Sequence, residues 1–241
     1  MDSKLGAAVR LAVVPSRRNR LLWACSMVAF GFQAMSVLVL EDGHIFEWEV
    51  HTTRILQRIP ARYEVFDLAF WLTNTIAWEF IPIFGAAFGV AWLLNHRDAA
   101  LLLLLSFPLH VFAQWPKAVI DRPRPPAGHH AIEGVGGFQS FPSGHAEFVI
   151  TFWGFLAYLL VTHARSTRVR LAVTIAWIVL ALATGVGRIA IGRHWPMDVL
   201  VSYIVGFGLL SGLIWLYSAI RAAGHRDRAE RAILPPADAV D

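Results

Sequence analysis

Three clusters of residues in the second half of the chain carry side chains suited to chemistry on an anion. The first runs from Lys117 to Arg124-Pro125, and the second is Phe141-Pro142-Ser143-Gly144-His145. The third starts at Gly187-Arg188, continues with His194 and ends at Asp198. All three lie at the ends of apolar stretches, and the distribution of basic residues described below places them on one side of a membrane.

The cations and the small residues of these clusters predict a phosphate site. Lys117, Arg124 and Arg188 can surround a phosphate dianion, and the two arginines can each grip two oxygens. Ser143-Gly144 precede an apolar helix, so backbone N–H groups and the positive helix end form a seat for an anion.

The two histidines of the clusters predict phosphoryl transfer. His194 and Asp198 are four residues apart, which places them on one face if the segment is helical. The carboxylate would then hold the imidazole tautomer and stabilise the imidazolium. His145 arrives from another helix. One histidine can attack phosphorus while the other protonates the leaving oxygen. The cations would stabilise the transition state, so this scheme needs no metal or other cofactor.

Lys117-x6-Arg124-Pro125, Pro142-Ser143-Gly144-His145 and Arg188-x5-His194-x3-Asp198 resemble the three signature motifs of the type 2 phosphatidic acid phosphatase (PAP2) superfamily. The resemblance implies that His194 is the nucleophile, Asp198 its orienting partner and His145 the general acid. It assigns phosphate binding to the remaining motif residues: Lys117, Arg124, Ser143, Gly144 and Arg188. It also implies metal-independent action on lipid phosphates or pyrophosphates. Gly187 departs from the pattern, since that motif usually begins Ser-Arg.

The composition predicts that a membrane bundle positions these motifs. Hydrophobic residues make up 56% of the 241 residues and charged residues only 16%, against about 25% in soluble domains. The fold class is therefore all-α, a polytopic bundle with spans at about 21–40, 76–94, 99–115, 146–161, 171–186 and 199–220. The mixed segment 41–74 is interpreted as an interfacial helical segment on the outer surface.

The basic residues predict the orientation. With the N-terminus inside, 13 of the 21 Lys and Arg residues lie on the cytoplasmic side. Both termini are then cytoplasmic, and the motifs face the periplasm or exterior of a bacterial inner or plasma membrane. The domain layout is a basic tail (1–20), the six-span phosphatase domain (21–220) and a disordered cytoplasmic tail (221–241). The basic residues flank apolar segments, so nucleic acid is not an expected partner.

Several residues near the motifs keep two interpretations. Arg122, Arg193 and Asp121 match no signature position and are expected on the surface or behind the site, although Asp121 could pair with a site cation. Glu147 either tunes the site or faces water. Glu79 is expected near an interface or paired with a site cation. The His129-His130 pair is expected in a solvated loop, with contact to the substrate head group as the alternative.

The sequence leaves the substrate open. An isoprenyl (undecaprenyl) pyrophosphate comes first, followed by phosphatidylglycerophosphate, phosphatidate or a lipid A-type phosphate. Phosphotransfer to an alcohol and membrane transport are the competing functions, while the cations argue against a metalloenzyme built on the histidines. Gly85-x3-Gly89 and Gly208-x3-Gly212 permit close helix contact within the bundle or in a dimer, so the oligomeric state is also open.

Overall fold

The structure is a computed structural model that describes residues 17–58, 80–125 and 139–233, without the side chains of residues 17, 80 and 225–233. The elements are helical throughout the described part. They are α1 (Arg17–Leu40), α2 (Glu47–Leu56), α3 (Phe80–Leu93), α4 (Arg97–Ala113), a 3-10 turn (Trp115–Ala118), α5 (Gly144–His163), α6 (Thr167–Ala190) and α7 (Pro196–Ile233).

Five of the described helices are long and apolar enough to cross a membrane: Arg18–Leu40, Arg97–Ala118, Gly144–His163, Thr167–Ala190 and Pro196–Gly224. They match five predicted spans to within a few residues. The predicted span 76–94 corresponds to α3, a shorter apolar helix, and its first residues lie outside the described part. The all-α membrane architecture is thus confirmed, whereas the count of six spans stays a prediction.

The two ends of the bundle are distinguished by contacts between the ends of helices. At one end, Arg221 of α7 lies 3.8 Å from Asp98 of α4, and the rings of His96 and His163 are 4.7 Å apart. The opposite end holds the C-terminus of α4 and the N-termini of α5 and α7. All three motifs therefore converge at a single end of the bundle.

Helix α5 lies at the centre, because it packs against α4, α6 and α7. Its buried Phe148, Phe152 and Phe155 form the largest apolar cluster with residues of those neighbours. Since α5 begins at the Ser143-Gly144 motif, this buried core fixes the position of the helix end that carries the predicted anion seat.

Helix α1 packs along α7 through small residues. The Ser26 hydroxyl donates to the Gly208 carbonyl at 2.8 Å, and a Cβ added to Gly208 would lie 2.3 Å from the Cβ of Ala29. A Cβ on Gly212 would approach Ser26 as well. The close contact permitted by Gly208-x3-Gly212 is therefore used inside the bundle.

The segments between the spans differ in part from expectation. Helix α2 lies in the segment predicted to be interfacial, and its location at the membrane interface stays a prediction. Residues 59–74 lie outside the described residues. Glu79, His129-His130, 1–16 and 234–241 also lie outside them. The predicted disorder of 221–241 is wrong for 221–233, where α7 continues; that stretch is rich in the helix formers Ala, Arg and Glu.

Candidate active site

The loop after α4 is joined to the turn before α7 by hydrogen bonds to backbone carbonyls. The indole of Trp195 donates to the Pro123 carbonyl at 2.8 Å. The Arg124 guanidinium donates to the Arg193 carbonyl at 3.1 Å. The Ser140 N–H, just before α5, donates to the Arg122 carbonyl at 3.0 Å. These bonds bring the three sequence motifs into one site.

His194 lies in a turn, and not on a helix as the spacing to Asp198 suggested. Helix α7 begins only at Pro196, and the His194 N–H bonds to the Arg188 carbonyl at 3.2 Å. The turn is closed by Gly192, whose φ of 71° lies in the left-handed region that favours glycine. The motif spacing therefore reflects a tight turn that returns the nucleophile candidate to the end of α6.

The imidazole of His194 is held by a backbone carbonyl. Its Nδ1 lies 2.6 Å from the Ser140 carbonyl oxygen and 3.7 Å from Oδ2 of Asp198. A carbonyl only accepts, so Nδ1 carries the proton and Nε2 bears the free lone pair. Ser140 therefore fixes the tautomer that the sequence assigned to Asp198, and the carboxylate acts on the ring as a nearby charge.

The environment of His194 favours its neutral form. The residue is 3% exposed, and burial lowers its pKa to about 4, with Asp198 opposing and Arg188 reinforcing that shift. A neutral imidazole with a free Nε2 is the form that attacks phosphorus.

Asp198 is fully buried in the first turn of α7, and its carboxylate has two firm partners. Oδ1 accepts from Arg122, and Oδ2 accepts from the Trp195 N–H at 2.8 Å. Its own carbonyl accepts from the Ser202 hydroxyl at 2.6 Å. These bonds leave the carboxylate little freedom to move relative to His194.

Ser143 and Gly144 lie at the start of α5, where the predicted anion seat requires them. The Ser143 N–H donates to Ser202 Oγ at 2.8 Å, so it is used within the protein. The Ser143 hydroxyl is buried without a hydrogen bond to any described residue, and it makes no cap to the helix. The hydroxyl and the first-turn N–H groups from Gly144 onward are thus the groups that can bind an anion.

The predicted cations line the same end. Lys117 donates to the Pro142 carbonyl, and Arg124 has a buried Nε without a hydrogen bond in the described part of the chain. Arg188, in the last turn of α6, is partly buried. Burial lowers the pKa of Arg124, and burial together with Arg124 lowers that of Arg193. Since arginine stays charged, these shifts express the cost of burying the two cations and, for Arg193, the repulsion of Arg124. A bound anion would relieve both.

His145 follows the seat residues on α5 and is partly exposed. It lies close enough to Arg188, His194, His110 and Lys117 for their charges to act on it. This position near His194, with part of the ring exposed, suits a group that gives a proton to a leaving oxygen.

Three polar residues near the seat were not found from the sequence. Gln114 is partly buried, and both of its amide atoms are buried without a hydrogen bond in the described residues. Its Oε1 would lie 3.2 Å from a Cβ on Gly144. Ser140 holds His194, as described above. His110 pairs with Glu147 beneath the seat. Each is a single polar residue at the end of an apolar stretch or in a loop, which gives no sequence signature.

Neighbours of the motifs follow only some of the expectations. Glu147 is 1% exposed and paired, so the expectation that it faces water is wrong. Arg122 is fully buried behind Asp198, which excludes the surface position. Asp121 is exposed and pairs with no site cation in the described part.

No group of three His, Cys, Asp or Glu side chains that could hold a metal ion occurs among the described residues. The predicted independence from metals stays a prediction.

A family comparison gives a match to the model of the PAP2 superfamily over residues 96–222, which includes all three motifs. The computed structure also resembles the crystal structure of a transmembrane PAP2 type phosphatidylglycerolphosphate phosphatase from Bacillus subtilis. The TM-score is 0.57 with 22% sequence identity, covering 83% of this chain and 96% of that one. This likeness supports the fold.

Curated relatives share shorter segments. Phosphatidylglycerophosphatase B of Escherichia coli (strain K12) is 35% identical over 83 residues, 34% of this chain and 30% of the relative. Lipid A 1-phosphatase of Rhizobium etli is 30% identical over 108 residues, 41% of this chain and 42% of the relative. The candidate undecaprenyl-diphosphatase YbjG of E. coli (strain K12) is 29% identical over 178 residues, 66% of this chain and 79% of the relative. The chain thus spans less than half of the length of the first two.

Proposed function

The chain belongs to the PAP2 superfamily, and from this membership we propose that it is an integral-membrane lipid phosphatase. The observation that supports the proposal most strongly is the arrangement around His194. Its Nδ1 donates to the Ser140 carbonyl, its Nε2 is free, and cations and unbonded donors lie beside it.

The proposed reaction has two steps. His194 Nε2 attacks phosphorus, the bond from phosphorus to the leaving oxygen breaks, and His145 gives that oxygen a proton. Water then attacks the phosphohistidine, His145 takes the proton, and the P–N bond breaks to return neutral His194 and free phosphate. Lys117, Arg124 and Arg188 would stabilise the charge on the non-bridging oxygens in both steps.

The substrate we propose first is an isoprenyl pyrophosphate of the undecaprenyl type. Of the three relatives described above, the candidate undecaprenyl-diphosphatase matches the largest part of this chain. Arg193 supports a second phosphate group, because its guanidinium is a fourth cation beside Arg124. Phosphatidylglycerophosphate, phosphatidate and lipid A 1-phosphate are the alternative substrates, and phosphotransfer to an alcohol is the alternative reaction.

The site is proposed to face the periplasm or exterior, with both termini in the cytoplasm. Lys and Arg counts support this orientation. A lipid phosphate at head-group depth would then reach the motif end of the bundle directly.

Phosphate release by the detergent-purified protein tests the proposal. The assay compares an isoprenyl pyrophosphate, phosphatidylglycerophosphate, phosphatidate and lipid A 1-phosphate, each with excess EDTA, beside His194→Ala. We expect release from at least one lipid in the wild type and none in the variant. Release that requires a divalent metal would contradict the metal-independent chemistry, while folded wild-type protein silent on every lipid would favour phosphotransfer or transport.

A further inference from the structure

Helix α2 places a fully buried carboxylate against the site, although it lies far from the motifs in sequence. Glu49 is 0% exposed. Its Oε2 accepts from the Phe46 N–H at 3.0 Å and from Arg122 Nη2 at 2.6 Å. Its Oε1 accepts from the Met197 N–H at 3.1 Å, in the first turn of α7. One side chain therefore ties α2 to both the loop after α4 and the start of α7.

Arg122 connects this carboxylate to Asp198. Its Nη1 donates to Asp198 Oδ1, while its Nε and Nη2 donate to the His44 carbonyl at 3.1 and 2.9 Å. The guanidinium is 0% exposed. All of its partners are buried or belong to the backbone, so it cannot turn toward a substrate and is not a phosphate ligand.

The charges of Glu49, Arg122 and Asp198 matter as much as their hydrogen bonds. A single cation buried against a single carboxylate would neutralise Asp198 and weaken its effect on the His194 ring. With Glu49 present, Arg122 is shared between two carboxylates, and the group keeps a net negative charge. Opposite charges act strongly where water is excluded. The remaining negative charge lies 3.7 Å from His194 Nδ1, where the ring becomes positive when Nε2 attacks phosphorus.

We propose that Glu49 is a positioning residue for the nucleophile, acting through Arg122 and Asp198. This inference rests on the proposed phosphatase function. Glu49 has two effects: it holds the first turn of α7 through the Met197 N–H, and it keeps Asp198 negative enough to stabilise the phosphorylated ring. Helix α2 is thereby part of the catalytic unit.

Glu49→Gln is the variant that separates this role from phosphate binding. A glutamine has one acceptor oxygen for the three donors that Glu49 serves, and it carries no charge. The three donors that Glu49 serves belong to Phe46, Arg122 and Met197, and not to the predicted phosphate-binding cations. KM should therefore stay within about 2-fold of wild type while kcat falls by about 10- to 100-fold, as for lost supporting contacts around catalytic ligands. Glu47→Gln is the matched control, because Glu47 is exposed on the same helix; it should leave both constants unchanged.

A double-variant cycle tests whether Glu49 acts through Asp198. In an Asp198→Asn background, we expect Glu49→Gln to cause less than about 2-fold further loss in kcat, because the path is already broken. If the role of Glu49 is purely structural, the kcat losses of the two single variants should multiply in the double variant, and the melting midpoint should fall in parallel. That result would overturn the proposal. Wild-type kcat in folded Glu49→Gln would overturn it too.

Arg122→Lys tests the same proposal if Glu49→Gln does not give folded protein. Lysine keeps the cation but cannot reach both carboxylates and the His44 carbonyl together. The same loss of kcat at unchanged KM is expected, and wild-type kcat would reject the role of Glu49. Wild-type protein without turnover on any lipid would reject the proposed function itself, which distinguishes the two failures.

Discussion

At the scale of the residue, the decisive contact is that between His194 and the Ser140 carbonyl. The distance from Nδ1 to the carbonyl oxygen is 2.6 Å. This hydrogen bond fixes the proton on Nδ1, so the lone pair of Nε2 is left to attack phosphorus. Asp198 then keeps only one of the two tasks that its spacing suggested, because its oxygens accept from Arg122 and the Trp195 N–H and do not hold the tautomer. It contributes negative charge near the ring rather than a direct hydrogen bond.

The lowered pKa of His194 predicts the acid side of the pH–rate profile. Burial disfavours the imidazolium and brings the pKa to about 4, so the neutral nucleophile persists well below the ordinary histidine range. We expect kcat/KM, corrected for the ionisation of the substrate phosphate, to fall through His194 only as the pH drops through about 4. A corrected acid limb near the unperturbed pKa of about 6.5 would contradict a buried, desolvated nucleophile.

At the scale of the element, the proposed anion seat lies between the start of α5 and the end of α4. Gly144 opens α5, and the Gln114 amide lies against it. The motif Pro-Ser-Gly-His located this helix end from the sequence, because a glycine before an apolar run has a clear physical signature. Gln114 has none, and neither does the use of the Ser143 N–H by Ser202, since both depend on how helices pack.

Gly144→Ala should weaken phosphate binding. Its Cβ would lie 3.2 Å from Gln114 Oε1 and 3.4 Å from His110 Cε1, so the amide must move away from the seat. We expect KM, and the inhibition constant of inorganic phosphate, to rise by about 10-fold, the size of one lost hydrogen bond to a charged group.

Gly212→Ala is the matched control for that substitution. Its Cβ would meet Ser26 Oγ at a similar distance of 3.3 Å, at the contact between α1 and α7. Both constants should stay at the wild-type value in this control. Equal effects in the two variants would mean that the seat is not at the start of α5.

At the scale of the whole molecule, the apolar spans and their approximate bounds could be predicted from the sequence, because each is a long hydrophobic run. Most of the site could be predicted as well, since the motifs occupy few, closely spaced positions. The roles of Glu49, Arg122 and Ser140 could not. These roles depend on contacts between α2, the loop after α4 and the turn before α7. The three segments are distant in sequence, so no local sequence pattern predicts those contacts.

The packing of α1 on α7 predicts a difference between two glycines. In Gly208→Ala the new Cβ would lie 2.3 Å from Ala29 Cβ, so the helices must separate, at a cost of about 1–3 kcal/mol in the free energy of unfolding. Gly31→Ala on α1 would meet no described atom within 4 Å. Thermal unfolding in detergent should show a lower midpoint for the first variant only; equal midpoints would contradict the close contact between α1 and α7.

The central claim is that His194 carries the phosphoryl group. Rapid quenching of the detergent-purified protein with a radiolabelled lipid phosphate or pyrophosphate measures it directly. We predict an acid-labile, base-stable phosphoprotein in the wild type, its accumulation in His145→Ala with a substrate that has a good leaving group, and its absence in His194→Ala. A phosphoprotein that persists in His194→Ala would show that another residue carries the phosphoryl group. Its loss in His145→Ala in the same experiment would identify His145 as the nucleophile.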